Sequence, residues 1–240
     1  MSDQKKVPPK RRGRSARDEG LTKDRIIEFA LALIDEKGAS SFSLRDVARG
    51  LEVYPTAIYW HVPNRDALIV EVIAFALGDL TPTTFNSPWK QWVKELCHSY
   101  RSAVAAHPNI APLLGSQMVS NASLSPLIIE RLLAKILEAG FKEQHLIHVF
   151  NTVITTMVSF VTLEFASKVS EQPDRWMTSL KNRYEGLDKR DFPVLTKNLQ
   201  KFSNNAFVVR WEGGTNPSLK KSYEYYVDTV LSGLERSLKS

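Results

Sequence analysis

The sequence holds one cysteine, Cys97, in 240 residues. Neither a disulfide framework nor a cysteine-built metal site can form within one such chain, which fits a reducing, cytoplasmic setting. No glycine-rich phosphate loop, acid pair or HExxH signature occurs. The N-terminus has no apolar core of the kind a secretory signal needs. Period-2 alternation of useful length and internal repeats are both missing, so sheets are not expected. Two clusters invite a chemical reading, and neither sustains it. In "ELCHSYR", Glu95, Cys97, His98 and Arg101 gather, but Cys97 and His98 are adjacent on a helix. Their side chains diverge by about 100° and cannot form a nucleophile–base pair. His145 and His148 stand at i and i+3 with Glu143 nearby, without a second carboxylate or histidine in the same sector, so a solvated helix start is expected there. The reading is therefore not an enzyme, with no cofactor and no metal.

What the chain does have is enough apolar content, 43%, for a sizeable core, and a basic balance of 32 Lys plus Arg against 26 Asp plus Glu. That balance permits an anionic partner. The charge is concentrated at Lys5, Lys6, Lys10, Arg11, Arg12 and Arg14, in a Pro- and Gly-rich tail over residues 1–20 with nothing to pack. Such a tail is expected to be disordered alone and to lie along DNA if a DNA reader follows. One apolar stretch, 146–166, has the length of a membrane span. It carries Asn151, Ser159, several Thr, a His and Glu164, and has no neighbouring span, so a buried interior helix is expected and no membrane partner.

Helical spacing and capping residues predict an all-α chain. Thr22 caps a helix whose Ile26, Phe29, Ala30, Leu33 and Ile34 share a side, and Gly38 fits its stop. Ser43 caps "LRDVARGL", with Asp46 as capping partner. The turn "EVY" leads to Pro55 in the first turn of "PTAIYWHV", and Asn64 caps the helix that follows. Further on, Pro88 and Pro126 open helices, a long apolar helix covers 142–169, and "EQPDRWMTSLKNRYEGLDKRD" reads as a polar connection with a helical turn around Trp176. "FPVLTKNL" is a short helix, and Asn216–Pro217 opens the last.

A short capped helix, a tight turn and a second polar-aromatic helix make a helix-turn-helix pattern. Ile58 anchors the second helix inward. Tyr54, Pro55, Thr56 and Ala57 stand at its leading end: Thr56 can hydrogen-bond a base, and Pro55 and Ala57 can touch a thymine methyl. Tyr59, His61 and Arg65 suit phosphate oxygens, and Arg45 a guanine edge or a phosphate. Trp60 reads as packing as much as contact.

From "RIIEFALALIDEKG" through "FSLRDVARGLEV" to "AIYWHVPNRDALI", residues 22–68 resemble the DNA-binding domain of the TetR family of bacterial transcriptional regulators. The resemblance implies that Arg45, Thr56, Tyr59, His61 and Arg65, with Pro55 and Ala57, fall at DNA-contacting positions. Glu52 occupies a turn position that is usually Gly, so the turn either carries backbone strain or takes another geometry. The chain's end, "YEYYVDTVLSGLERSL", also resembles a dimerisation helix of such regulators.

The implied organisation is an all-α protein in three parts: a basic arm over 1–20, a three-helix helix-turn-helix head over 21–68, and a helical ligand-binding and dimerisation domain over 69–240. Helices 142–169 and 217–238 are expected to pair with their copies in a homodimer that binds palindromic, double-stranded operator DNA. Release by a small-molecule effector needs a cavity, for which Trp89, Trp92, Tyr100, His107, Phe150, Met157 and Trp176 are the candidate lining residues. The competing reading is a ligand-independent architectural DNA binder, set apart by salt-dependent binding without operator preference.

Overall fold

The computed structural model describes residues 20–39, 42–84, 86–114, 124–166, 173–207 and 218–238. Nearly all of the basic arm, and Asn216–Pro217, lie outside the described residues, among which there is no strand.

Four helices build the N-terminal head: α1 (Lys23–Lys37), α2 (Leu44–Gly50), α3 (Pro55–Tyr59) and α4 (Arg65–Leu77). Three start where the sequence supplies a cap. Thr22 accepts from the Arg25 N–H at 3.2 Å, Ser43 from Asp46 N–H at 3.2 Å, and Asn64 from Ala67 N–H at 2.8 Å. Each satisfies a helix-end donor that would otherwise need water. The Ser43 hydroxyl also donates to the Asp46 carboxylate, which Arg49 holds from the other side at 3.1 Å. Ile26, Ala30 and Ile34 of α1 meet Val47, Ala48, Ile58, Leu68, Val72 and Ile73 in a dry core. α1 crosses both α2 and α4, and Gly50 lets the Phe29 ring lie against α2. A Cβ at Gly50 would stand 2.1 Å from that ring.

The remaining helices are α5 (Trp89–Ala106), α6 (Pro126–Glu138), α7 (Leu146–Glu164), α8 (Pro173–Glu185), α9 (Pro193–Phe202) and α10 (Lys220–Ser237). α5 is the hub, packing on α4, α6, α7 and α10. The boundary expected between residues 68 and 69 falls inside α4, which runs unbroken from the head towards α5.

Two expectations need correction. The polar connection around Trp176 is a 13-residue helix, α8. Its Trp176, Met177, Leu180 and Tyr184 recur at helical spacing, a narrow stripe that polar composition conceals. The apolar helix 146–164 is not buried all round. Val149, Val153, Met157, Phe160 and Val161 face the core, whereas Ile147 and Leu163 are 61% and 57% exposed. Together with the 3-10 turn before it, Glu143–Glu164 is the one helix among the described residues long and apolar enough to cross a membrane, with a mean hydropathy of 1.7. One of its sides is nonetheless committed to α5, α6 and α10.

At the far end of α7 the fold buries an ion pair. Arg101 of α5 grips Glu164 through two hydrogen bonds, 2.9 and 2.5 Å, and donates to Ser218 at 3.0 Å. Glu164 also accepts from the Leu219 N–H at 2.9 Å. With both lone-pair directions and the guanidinium fork occupied, the pair ties α5 and α7 to the start of α10.

Candidate nucleic-acid interface and interior site

α3 has five residues, and only Ile58 among them is buried. Most of what surrounds that anchor faces outward, although Val62 just beyond the helix is buried too. Tyr54, Tyr59 and Trp60 are 83%, 53% and 88% exposed; Arg45, Pro55 and Thr56 are exposed; Ala57 and His61 are half-buried. Trp60 therefore does not pack into the head. Leaving three large aromatic rings in water is costly at about 25 cal/mol per Å² of apolar surface, and all three stand at the two ends of one short helix.

The turn that aims α3 is a Schellman ending of α2. Val53 N–H donates to Ala48 O at 2.9 Å and Glu52 N–H to Arg49 O at 3.2 Å. That pattern requires a left-handed residue between helix and turn, and Glu52 takes it with φ +56°. Of the two outcomes left open for this turn, the usual geometry is kept and the strain is carried.

Arg65 has a structural task. Its Nε donates to Phe42 O at 3.1 Å and its Nη2 to Ala39 O at 3.0 Å, with the guanidinium 5.6 Å from the Phe42 ring centre. Through Nε and Nη2 it staples the α1–α2 connection to the start of α4, while the side chain stays 41% exposed with Nη1 3.9 Å from Asp66 Oδ1. The remaining expected DNA-contacting residues, Arg45, Tyr54, Pro55, Thr56, Ala57, Tyr59, Trp60 and His61, lie on α2, on α3 and at their edges.

The seven candidate lining residues separate. Trp92, Tyr100 and Met157 are buried in one core. Tyr223 links the two helices that carry them, donating to Cys97 O of α5 at 3.0 Å and Met157 O of α7 at 3.3 Å. Trp89 and Phe150 are half-buried, and Trp89 packs edge-on to Phe141 at 5.3 Å. Trp176 lies 42% exposed on α8. His107 turns the other way, its Nδ1 2.7 Å from Asp35 Oδ2 of α1. Beside it Asn109 donates to Ile34 O and Asp35 O at 3.2 and 2.8 Å, closing the C-terminal end of α1. Sequence reading did not single out Asn109 or Asp35; a polar residue just past α5's stop was the available signal.

Within that core, Trp92 Nε1 and Tyr100 Oη are fully buried and have no hydrogen-bond partner. Burial pushes the Tyr100 hydroxyl's pKa well above the ordinary tyrosine range. Burial pushes the Cys97 thiol up to about 12, against a smaller lowering by the neighbouring Tyr223 hydroxyl, so it stays protonated and unreactive. Among the described residues no group of three or more His, Cys, Asp or Glu is arranged to hold a metal.

On the outer side, α7 and α10 frame a groove of about 300 Å³ lined by Asn151, Thr152, Thr155, Thr156, Tyr226 and Val230. Tyr225, next to Tyr226 in sequence, is 77% exposed.

Comparison with known proteins agrees with this architecture. Residues 26–72 match the profile of bacterial regulatory proteins, tetR family, and residues 81–213 that of the tetracyclin repressor-like, C-terminal domain. The class E tetracycline repressor protein of Escherichia coli is 24% identical over 139 residues, 55% of this chain and 64% of that protein. The chain spans less than two thirds of the length of such curated relatives. The Streptomyces coelicolor TetR family protein ActR, solved in complex with (S)-DNPA, superposes with a TM-score of 0.66 at 22% identity, over 91% of this chain and 99% of that one. BioQ solved with its natural double-stranded DNA operator gives a TM-score of 0.56 at 26% identity, over 67% of this chain and 95% of that one. With more than half of its length inside the C-terminal profile and its head inside the N-terminal one, the chain belongs to the tetR family of bacterial regulatory proteins.

Proposed function

We propose that this protein is a cytoplasmic, homodimeric transcriptional regulator, a repressor that leaves a palindromic operator when a small molecule fills its body. The observation that carries the reading is α3: a five-residue helix with one buried anchor, Ile58, and with Pro55, Thr56 and Tyr59 exposed. Its leading end, Tyr54 to Ala57, is small or flat enough to approach base edges, while Tyr59, Trp60, His61 and Arg45 flank it for phosphate and sugar contacts. Arg65 supports the interface from behind. The basic arm over residues 1–20 adds phosphate contacts.

A single such helix reads few base pairs, and a two-fold pair of heads reads two half-sites one helical turn apart. The outward side of α7 supports pairing: from Leu146 to Leu163 it holds no Asp, Glu, Lys or Arg. Together with α10 it offers a self-complementary four-helix interface. That BioQ was solved with its DNA operator, and ActR with a small molecule, supports the same division of labour.

The test starts from duplexes selected from a random pool by the full-length protein. Arg45→Ala, Tyr59→Ala and His61→Ala should each weaken binding to the selected site about tenfold while leaving the dimer intact in sedimentation. Failure to enrich any sequence, or unchanged affinity in all three variants, would end the proposal.

A further inference from the structure

We infer that α3 reads its operator through 5-methyl groups: Pro55, Thr56 and Ala57 meet the C5 methyls of thymine in the major groove, and a 5-methylcytosine placed there is accepted in thymine's stead. This rests on the regulator reading above and names the base chemistry of that same surface.

It follows first from what α3 lacks. In the major groove a basic side chain tells guanine by its two acceptors, an amide tells adenine by giving and taking a hydrogen bond, and a carboxylate tells cytosine by its amino group. From Val53 to Val62 the sequence holds no Arg, Lys, Asn, Gln, Asp or Glu. Groups of those kinds on either side belong to other elements. Asn64 caps α4, Arg65 spans Phe42 O and Ala39 O, and Arg49 holds Asp46. Arg45 stands on α2 and Glu52 in the turn. Tyr59 and His61 come at the far end of the helix and beyond it.

What the leading end offers instead is carbon. Pro55 is exposed and, having no N–H, presents the carbons of its ring. The Ala57 N–H is spent on Tyr54 O at 2.9 Å, which leaves that residue its methyl. Thr56, also exposed, adds a second methyl beside a hydroxyl that both donates and accepts. Such a hydroxyl fits any base edge and fixes position more than identity. Among the four bases, the C5 methyl of thymine is the apolar feature of the major-groove edge, and these carbons match it. Cytosine has hydrogen at that position. Its 5-methyl form restores the methyl and turns the neighbouring acceptor into a donor, which the Thr56 hydroxyl meets equally well.

Burying one methyl is worth about a fourfold gain in affinity, and a like contact in both half-sites about fifteenfold.

The test uses the full-length protein and a duplex it selects from a random pool. Deoxyuridine, which lacks only thymidine's methyl, replaces thymidine at each position in turn, in both half-sites together. At one position or more, binding should fall about fifteenfold. There, a 5-methylcytosine–guanine pair should bind more tightly than the unmethylated pair by a similar factor. Thr56→Ser removes a methyl and keeps the hydroxyl, and Pro55→Ala removes ring carbons. Both leave the anchor Ile58 in place, and each should shrink the preference for thymidine over deoxyuridine. Deoxyuridine without effect at every position overturns the inference, and so does a selected site without thymine or a methylated cytosine bound no better than the plain one. A preference left whole in both variants also overturns it, since it would then come from DNA shape and not from these contacts. A pool that yields no enriched duplex counts against the regulator reading, whereas enriched duplexes indifferent to deoxyuridine count against the methyl reading alone.

Discussion

Replacing Glu52 should stabilise the protein only if the replacement is glycine. Glu52 occupies the left-handed position of the α2 ending at φ +56°, where a side chain crowds the backbone. For an L-residue that conformation costs about 1–2 kcal/mol. Glycine removes the clash but returns about 0.4–1 kcal/mol through the greater freedom of the unfolded chain. The net gain for Glu52→Gly is about 0.5–1 kcal/mol, a rise in melting temperature of about 1–4 °C for a chain of this size. Glu52→Ala is the control: it deletes the same exposed carboxylate and keeps the strained φ, so it should not gain. The measurement is scanning calorimetry of the full-length proteins at one fixed protein concentration, since a dimer's melting depends on it. If alanine stabilised as much as glycine, charge and not backbone would be the cause. If glycine lowered the melting temperature, the Schellman geometry would not be the source of strain. On DNA, both variants lose one negative charge beside the phosphates and should bind somewhat more tightly at low salt.

Arg65→Ala removes two hydrogen bonds to backbone carbonyls and a cation stacked near Phe42. It should cost about 1–3 kcal/mol in urea unfolding, and Arg65→Lys should recover only part, because an ammonium cannot span Ala39 O and Phe42 O as the fork does. Glu164→Gln strands the buried Arg101 charge and should cost about 3–5 kcal/mol; a loss under 1 kcal/mol by urea denaturation would refute its role as a keystone. Cys97 should resist a thiol reagent at pH 8 in the folded protein and react at once when unfolded. Its pKa rises from 9.0 unfolded to about 12 folded, so the folded state holds its proton longer. Stability from this group is fully present below about pH 9 and falls by about 1.4 kcal/mol per unit as pH rises towards 12. Cys97→Ser should flatten that decline.

The head was legible because its signals are local. Thr22, Ser43 and Asn64 each cap the helix that follows them, and a cap acts within three residues of itself. Glu52's strain could be read as one of two outcomes from a missing glycine, since the left-handed position is set by the end of α2 alone. Arg65 was less legible. Its partners Ala39 and Phe42 lie 26 and 23 residues upstream, and a basic residue at a helix start looks the same in sequence whether it meets a phosphate or a carbonyl.

The body shows why the rest was hidden. An apolar helix reads alike in sequence whether it is buried in its own chain, buried against a copy or buried in lipid, because hydropathy records the need for cover and not its source. Only once α5, α6 and α10 are seen to take one side of α7 does the uncovered side become information. The same holds for Trp92, Tyr100 and His107. Composition grouped them as aromatic and polar candidates for one cavity. The fold gives His107 an aspartate on α1 and leaves Trp92 and Tyr100 with none. What separates these polar groups is which partner each meets in three dimensions, and that partner sits tens of residues away along the chain.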